Sequence, residues 1–152
     1  MRARLAALRR RLQIGVLRAL PLPPRAKQWL VWLLLPRFTV GVAALIRDEN
    51  GRVLALRSAW HGEWQLPGGA VNYGESFDDA LRREVREETG LSLASLERVT
   101  LVRDRTGRML HVVYRARIAP GAVRLSEEHS AWAYRAPEDL PPAARWFVRL
   151  AS

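Results

Sequence analysis

Cysteine is absent from the 152-residue chain, lysine occurs once, at Lys27, and residues 1–37 contain no acid. Without thiols there is no disulfide and no thiolate metal site, so the side chains left to hold a metal are histidines and carboxylates. The same absence points to an intracellular, cytoplasmic protein. Long hydrophobic runs are lacking too: Trp29 to Leu35 is seven residues, against about 20 for a bilayer span, and Pro36 and Arg37 break its continuation. That segment does not cross a membrane on its own.

What charge there is lies unevenly. The formal net charge is +10, yet residues 1–37 hold nine basic side chains, eight Arg and Lys27, while from residue 38 onward 16 basic against 15 acidic residues leave +1. A nucleic-acid-binding domain spreads its charge along a groove or stripe of the folded domain, whereas here it belongs to an appendage, and DNA is not an expected partner. The near-exclusive use of arginine is partly compositional, which tempers arguments from any single arginine. With 49% hydrophobic and 26% charged residues, the chain has the composition of a globular protein, and its length suits one domain plus an appendage. The boundary is placed at 37/38, with a helical extension over 1–37 and a core domain over 38–152.

Within the extension, Leu5, Leu8, Leu12, Val16 and Ala19 recur at spacings of three and four while Arg4, Arg11 and Arg18 repeat on another face, which predicts a basic amphipathic helix over 4–20. Pro21, Pro23 and Pro24 end it, because proline has no N–H to give a helix interior. The extension is compatible with packing on the domain, with a homodimer through its helices, with peripheral contact at a membrane surface, and with a targeting segment.

From residue 38 short β-branched runs take over. Phe38 to Ile46 and Arg52 to Arg57 flank Asp48-Glu49-Asn50-Gly51, where Asn-Gly signals a hairpin turn because both residues tolerate positive φ. Val99 to Val102, Leu110 to Ile118 and Trp132 to Tyr134 also read as strands. Between them a helix runs from about Ser76, its N-cap, with Asp79 completing a capping box, to Thr89, with Gly90 just past its end. A second helix starts near Pro141 and carries Trp146, Phe147 and Leu150 toward the core. Mixed strands with interspersed helices make an α/β sandwich.

On the first of these helices Glu84, Glu87 and Glu88 stand at i, i+3 and i+4, so all three carboxylates share one face and repel one another. Either the neighbouring Arg82, Arg83 and Arg86 compensate, as on an ordinary solvated face, or divalent cations do. Mg²⁺ and Mn²⁺ are hard ions that take carboxylate, carbonyl and water oxygens.

The string GAVNYGESFDDALRREVREETGL, from Gly69 to Leu91, resembles the Nudix box. Gly69, Glu75, Arg83, Glu84, Val85, Glu87, Glu88, Gly90 and Leu91 fill all nine of its specified positions, a chance match on the order of one in a billion per start point. The resemblance covers residues 38 to about 150. It implies an α/β/α sandwich with a mixed sheet and a metal-dependent hydrolase that cleaves a diphosphate bond in a nucleotide-type substrate by attack of water on phosphorus, using Mg²⁺ or Mn²⁺. It implies further that the Gly69 carbonyl, Glu87 and Glu88 are metal ligands, that Glu84 is a further ligand or the base, and that Glu75 and Arg83 form an ion pair holding the loop on the helix. Family members often add a downstream carboxylate, here Glu127 or, preferably, Glu128.

Substrate identity is set elsewhere. Trp60, Trp64 or Tyr134 could stack on a base, and Arg47 or Arg57 could meet phosphate oxygens. The proline that ADP-ribose pyrophosphatases carry past the box is missing from Asp104 to Arg108. His61, His111 and His129 show no metal-site spacing; His129, beside Glu128, reads as a loop histidine near the cleft. A catalytically silent nucleotide-binding module and a pyrophosphohydrolase acting at RNA 5′ ends are the competing readings. The first is expected to lose box carboxylates, and none is missing.

Overall fold

The computed structural model describes residues 21–34, 38–104 and 108–151, so the expected helix over 4–20 lies outside the described residues. The chain divides into the units Met1–Arg37 and Phe38–Ser152. In the first, helix α1 spans Pro24–Leu34. Pro24 opens it, where a missing N–H costs nothing, and the Pro23 carbonyl accepts from the Ala26 and Lys27 amides at 3.0 and 3.1 Å. No helix among the described residues is long and apolar enough to cross a membrane.

The second unit runs β1 (Thr39–Ile46), β2 (Val53–Ser58), β3 (Trp64–Gln65), α2 (Phe77–Thr89), β4 (Leu93–Arg103), β5 (Met109–Ile118), β6 (His129–Arg135), a 3-10 turn at Pro137–Asp139 and α3 (Pro142–Leu150). β1 pairs in parallel with β5, and β4 pairs antiparallel on the other side of β5, giving a mixed sheet in the order β1–β5–β4. β3–β2–β6 is antiparallel, and the two sheets meet at the bridge between Arg47 and Val53.

Strand alternation builds a core on each face of this platform. Val42, Ala44 and Ile46 of β1 join Val112 and Tyr114 of β5 against Ala80, Leu81 and Val85 of α2. Leu45 and Val113 face the other way, with Val53, Ala55, Ala144 and Val148. Strands buried on both faces read as unbroken apolar runs, as β1 does. The result is the expected α/β/α sandwich.

Three local expectations change. The Asn50-Gly51 turn exists, but Gly51 alone has positive φ, at 76°, because the Asp48 carboxylate binds the Asn50 and Arg52 amides at 3.0 and 2.8 Å and closes the turn by itself. Nor does the turn join a hairpin ladder: β1 and β2 enter different sheets and share only the Arg47–Val53 bridge. On α3 the buried positions are Ala144 and Val148, followed by Ala151, while Leu150 is exposed. Phe147 packs half-buried against the same core, as expected; Ala144, Phe147, Val148 and Ala151 share one helix face because they recur at spacings of three and four.

α2 is fixed at both ends. The Ser76 hydroxyl accepts from the Asp79 amide at 3.1 Å and donates to the Asp79 carboxylate at 2.6 Å, and Gly90 N–H donates to the Arg86 carbonyl. In the first turn, Asp78 accepts from the fully buried Tyr114 hydroxyl at 2.6 Å and from Arg98 at 3.2 Å. These bonds, with Tyr114 foremost, hold the Asp78 carboxyl below its usual range and dock the helix on β5.

Candidate active site

The loop that follows β3 runs along the free edge of β1. Ala44 N–H donates to the Pro67 carbonyl at 2.8 Å, Val42 N–H to the Gly69 carbonyl at 2.9 Å, and Val71 N–H to the Val40 carbonyl at 2.9 Å. Gly68 has φ 145°, and a Cβ there would overlap the Val42 carbonyl oxygen, so no other residue fits the path. At Gly69 a Cβ would stand 2.5–2.6 Å from the Glu84 carboxylate. The bare backbone at Gly69 lets the Glu84 carboxylate lie directly against the loop.

Arg83 joins loop to helix. Its Nε and Nη2 grip both Glu75 oxygens at 2.9 and 3.0 Å, Nη2 also donates to the Ala70 carbonyl at 2.9 Å, and Nη1 reaches Glu84 at 2.8 Å and Glu87 at 3.1 Å. The paired geometry is the charge-assisted fork that only guanidinium provides. Glu75, further bound by the Asn72 amide, is held below the usual carboxylate range, and the Arg83 charge is strengthened, by Glu75 foremost.

Glu88 turns the other way. Its Oε2 accepts from the Gly68 amide at 2.8 Å, Oε1 lies 3.5 Å from His129 Nε2, and the residue is 5% exposed. Burial pushes its pKa up to about 8; the Gly68 bond opposes this, and the charges of Glu84, Glu128 and Glu87 add to it. His129 is not on a loop. It opens β6, is buried, and contacts Gln65 at 3.0 Å and Ser126 at 3.4 Å. Burial lowers its pKa, so near neutrality the ring is uncharged and supplies no positive charge to hold Glu88 ionised.

The acidic side chains are thus not gathered at one point. Among the described residues no group of three histidine or acidic side chains is positioned to hold a metal, since Arg83 draws Glu84 and Glu87 to one side while Gly68 and His129 hold Glu88 on the other. The donor set still suits a hard divalent cation. It is all oxygen, Gly69 leaves a cradle that a Cβ would fill, and a carboxylate raised by burial and by three neighbouring negative charges is one that a cation would relieve.

A cleft of about 310 Å³ opens beside Gly68 and Gly69, with Trp64, Gln65, Met109, His111 and Phe147 in its walls. Among the five side chains expected to meet substrate, Trp64 lines it, under the Arg135 guanidinium at 4.8 Å. Arg57 sits next to the lining residue Ser58, with its Nε on the Gly62 carbonyl at 3.0 Å. Arg47 binds the Gly51 carbonyl and borders a separate hollow with Asp48, Arg115 and Arg117. Tyr134 packs half-buried against the core on the α2 side, and Trp60 is 80% exposed. Glu128 is exposed, yet near enough for its charge to act on Glu88.

Sequence reasoning missed Gly41, Gln65 and the His111–Phe147 pair, whose rings lie 4.9 Å apart. A Cβ on Gly41 would come 3.0 Å from the Gly69 carbonyl oxygen. A lone glycine inside an apolar strand is the signal that could have found it.

Fold and box geometry together define a Nudix-type hydrolase domain. Residues 37–150 match the family model for the NUDIX domain, and the chain belongs to that family, as an enzyme. It is 33% identical over 105 residues to a MutT-like protein of Streptomyces ambofaciens, covering 69% of this chain and 68% of that one. It is 34% identical over 116 residues to the nucleoside triphosphatase NudI of Escherichia coli O139:H28, covering 65% and 82%. Among solved structures it is similar to the MutT NUDIX hydrolase of Burkholderia pseudomallei, with TM-score 0.67, 29% identity and coverage of 76% and 99%.

Proposed function

We propose that this enzyme hydrolyses a diphosphate linkage in a nucleotide, with Mg²⁺ or Mn²⁺, and that residues 38–152 are its catalytic unit. The observation that carries the reading is the junction of the glycine loop and the acidic helix, where Gly68 N–H binds Glu88 and Gly69 lies against Glu84. Glu87, Glu88 and the Gly69 carbonyl would hold the metal, with Glu128 as an added ligand. When bound, the ion supplies neutralisation of phosphoryl oxygens and a lowered pKa for water.

The chain's own residues do the rest. Glu84 stands beside the loop as a further ligand or as the base that takes the proton from the attacking water. Arg83 and Glu75 fix the loop on the helix. The cleft, at the small end of the range for ligand sites, suits one nucleoside portion, with Trp64, His111 and Phe147 as aromatic walls. That the similar NudI is named a nucleoside triphosphatase supports a nucleotide substrate.

The test is product analysis after incubation with nucleoside triphosphates, nucleoside diphosphate sugars, ADP-ribose and 5′-triphosphorylated RNA, each with Mg²⁺ or Mn²⁺. Release of a nucleoside monophosphate or of phosphate from at least one class is expected. Tight nucleotide binding with no turnover of any class would replace the hydrolytic reading with a binding one.

A further inference from the structure

We propose that α1 seats the enzyme on an anionic lipid surface. Trp29, Trp32 and Leu33 are 68%, 56% and 56% exposed, and the two indoles meet edge to face at 5.4 Å. Large apolar side chains adjoining one another in this way mark a contact surface rather than the scattered exposure every protein shows. Arg25 and Lys27 precede them on the same helix, so a basic end adjoins an aromatic and aliphatic end.

The charge of the surrounding sequence selects the occupant. Residues 1–37 carry nine basic side chains and no acid. A second copy would bring its own Arg25 and Lys27, in a segment of the same sign, to the contact and be repelled. The remaining 115 residues sum to only +1 and offer no acidic excess to match. Nucleic acid would meet the charge but not the run Trp29 to Leu34, which is apolar throughout. A bilayer rich in anionic lipid satisfies both: phosphate headgroups for arginine and lysine, and an interfacial zone in which tryptophan is favoured. Eleven residues of helix reach about 16 Å, half of a hydrocarbon core, so α1 lies in the interface and does not span it.

The 152-residue chain is mixed with vesicles of phosphatidylcholine alone or with phosphatidylglycerol added, and bound protein is measured by flotation. Binding to the anionic vesicles at least about tenfold stronger than to neutral ones is expected, weakened by high salt. The double variant Trp29→Ser/Trp32→Ser should lose it, and Arg25→Gln/Lys27→Gln should weaken it. Circular dichroism and turnover of a water-soluble nucleotide, unchanged in both variants, show that the catalytic unit remains folded. Absence of vesicle binding overturns the proposal. So does a dimer that dissociates in the tryptophan variant without any lipid effect, which would assign the surface to a second copy. Oligonucleotide binding that survives the tryptophan changes, with no vesicle partition, would assign the charge to nucleic acid.

Discussion

The Gly68 amide donates to Glu88 Oε2 across 2.8 Å, with the carboxylate almost wholly buried. This hydrogen bond ties the loop on the β1 edge directly to the last turn of α2, at a group that burial holds at a pKa of about 8.

A pH dependence follows directly. The folded value of Glu88, about 8, stands above its ordinary 4.5, so the native chain binds more protons than the unfolded one between these values. The stability that this proton contributes is fully present below the ordinary value and is lost as pH rises through about 8. Metal-free wild type should melt progressively lower between pH 5 and 9, and Glu88→Gln should lack that component of the slope; parallel curves would refute the assignment. Under the proposed function, apparent affinity for Mn²⁺ should climb by up to about tenfold per pH unit and level off above about 8, with proton release seen by calorimetry in two buffers.

Arg83 touches Glu75, Ala70, Glu84 and Glu87 at once. Lysine keeps the charge but has a single nitrogen, so it cannot hold both the Glu75 carboxylate and the helix glutamates in fixed geometry. Arg83→Lys should lower turnover roughly 10- to 100-fold while leaving circular dichroism unchanged. Wild-type kinetics in this variant would mean that the fork is dispensable.

Gly68→Ala places a methyl group on the Val42 carbonyl and forces alanine into φ 145°. Urea titration should show a loss of about 2–4 kcal/mol, the scale of a strained backbone with a steric clash. A variant as stable as wild type would show that the loop takes another path.

Tyr114→Phe removes the buried hydroxyl that donates to Asp78 and should cost about 1–2 kcal/mol. The sign with pH differs from that of Glu88. Asp78 is held below its ordinary value, so its contribution exists above the unfolded pKa and disappears as pH falls through the folded one. The wild-type advantage over Tyr114→Phe should therefore shrink in acid, which chemical denaturation at neutral and low pH would measure.

Much of this site could be read from the sequence because helix geometry is local. Spacings of three and four alone place Glu84, Glu87 and Glu88 within about a turn of one another on α2, and Ser76 and Gly90 mark its ends. What could not be read depends on pairing between distant segments. His129 reaches Glu88 only because β6 lies antiparallel to β2, and His111 and Met109 face the cleft because β5 runs parallel to β1 in one register. No local periodicity encodes that register. The face of α3 was legible only in part: Phe147 packs against the core with Ala144, Val148 and Ala151 at spacings of three and four, whereas Leu150 falls on the exposed side.

The central claim is that the acidic face of α2 and the glycine loop form a metal-dependent hydrolytic centre. Its most direct test is turnover of the best nucleotide substrate by wild type and Glu87→Gln, with Mg²⁺ and with chelator. Glu87 is largely exposed and pairs with Arg83 at 3.1 Å, so the change leaves the fold intact. Turnover that needs the metal and falls at least about 100-fold in the variant is the predicted result. Equal turnover by both proteins, or turnover that persists in chelator, would contradict the account.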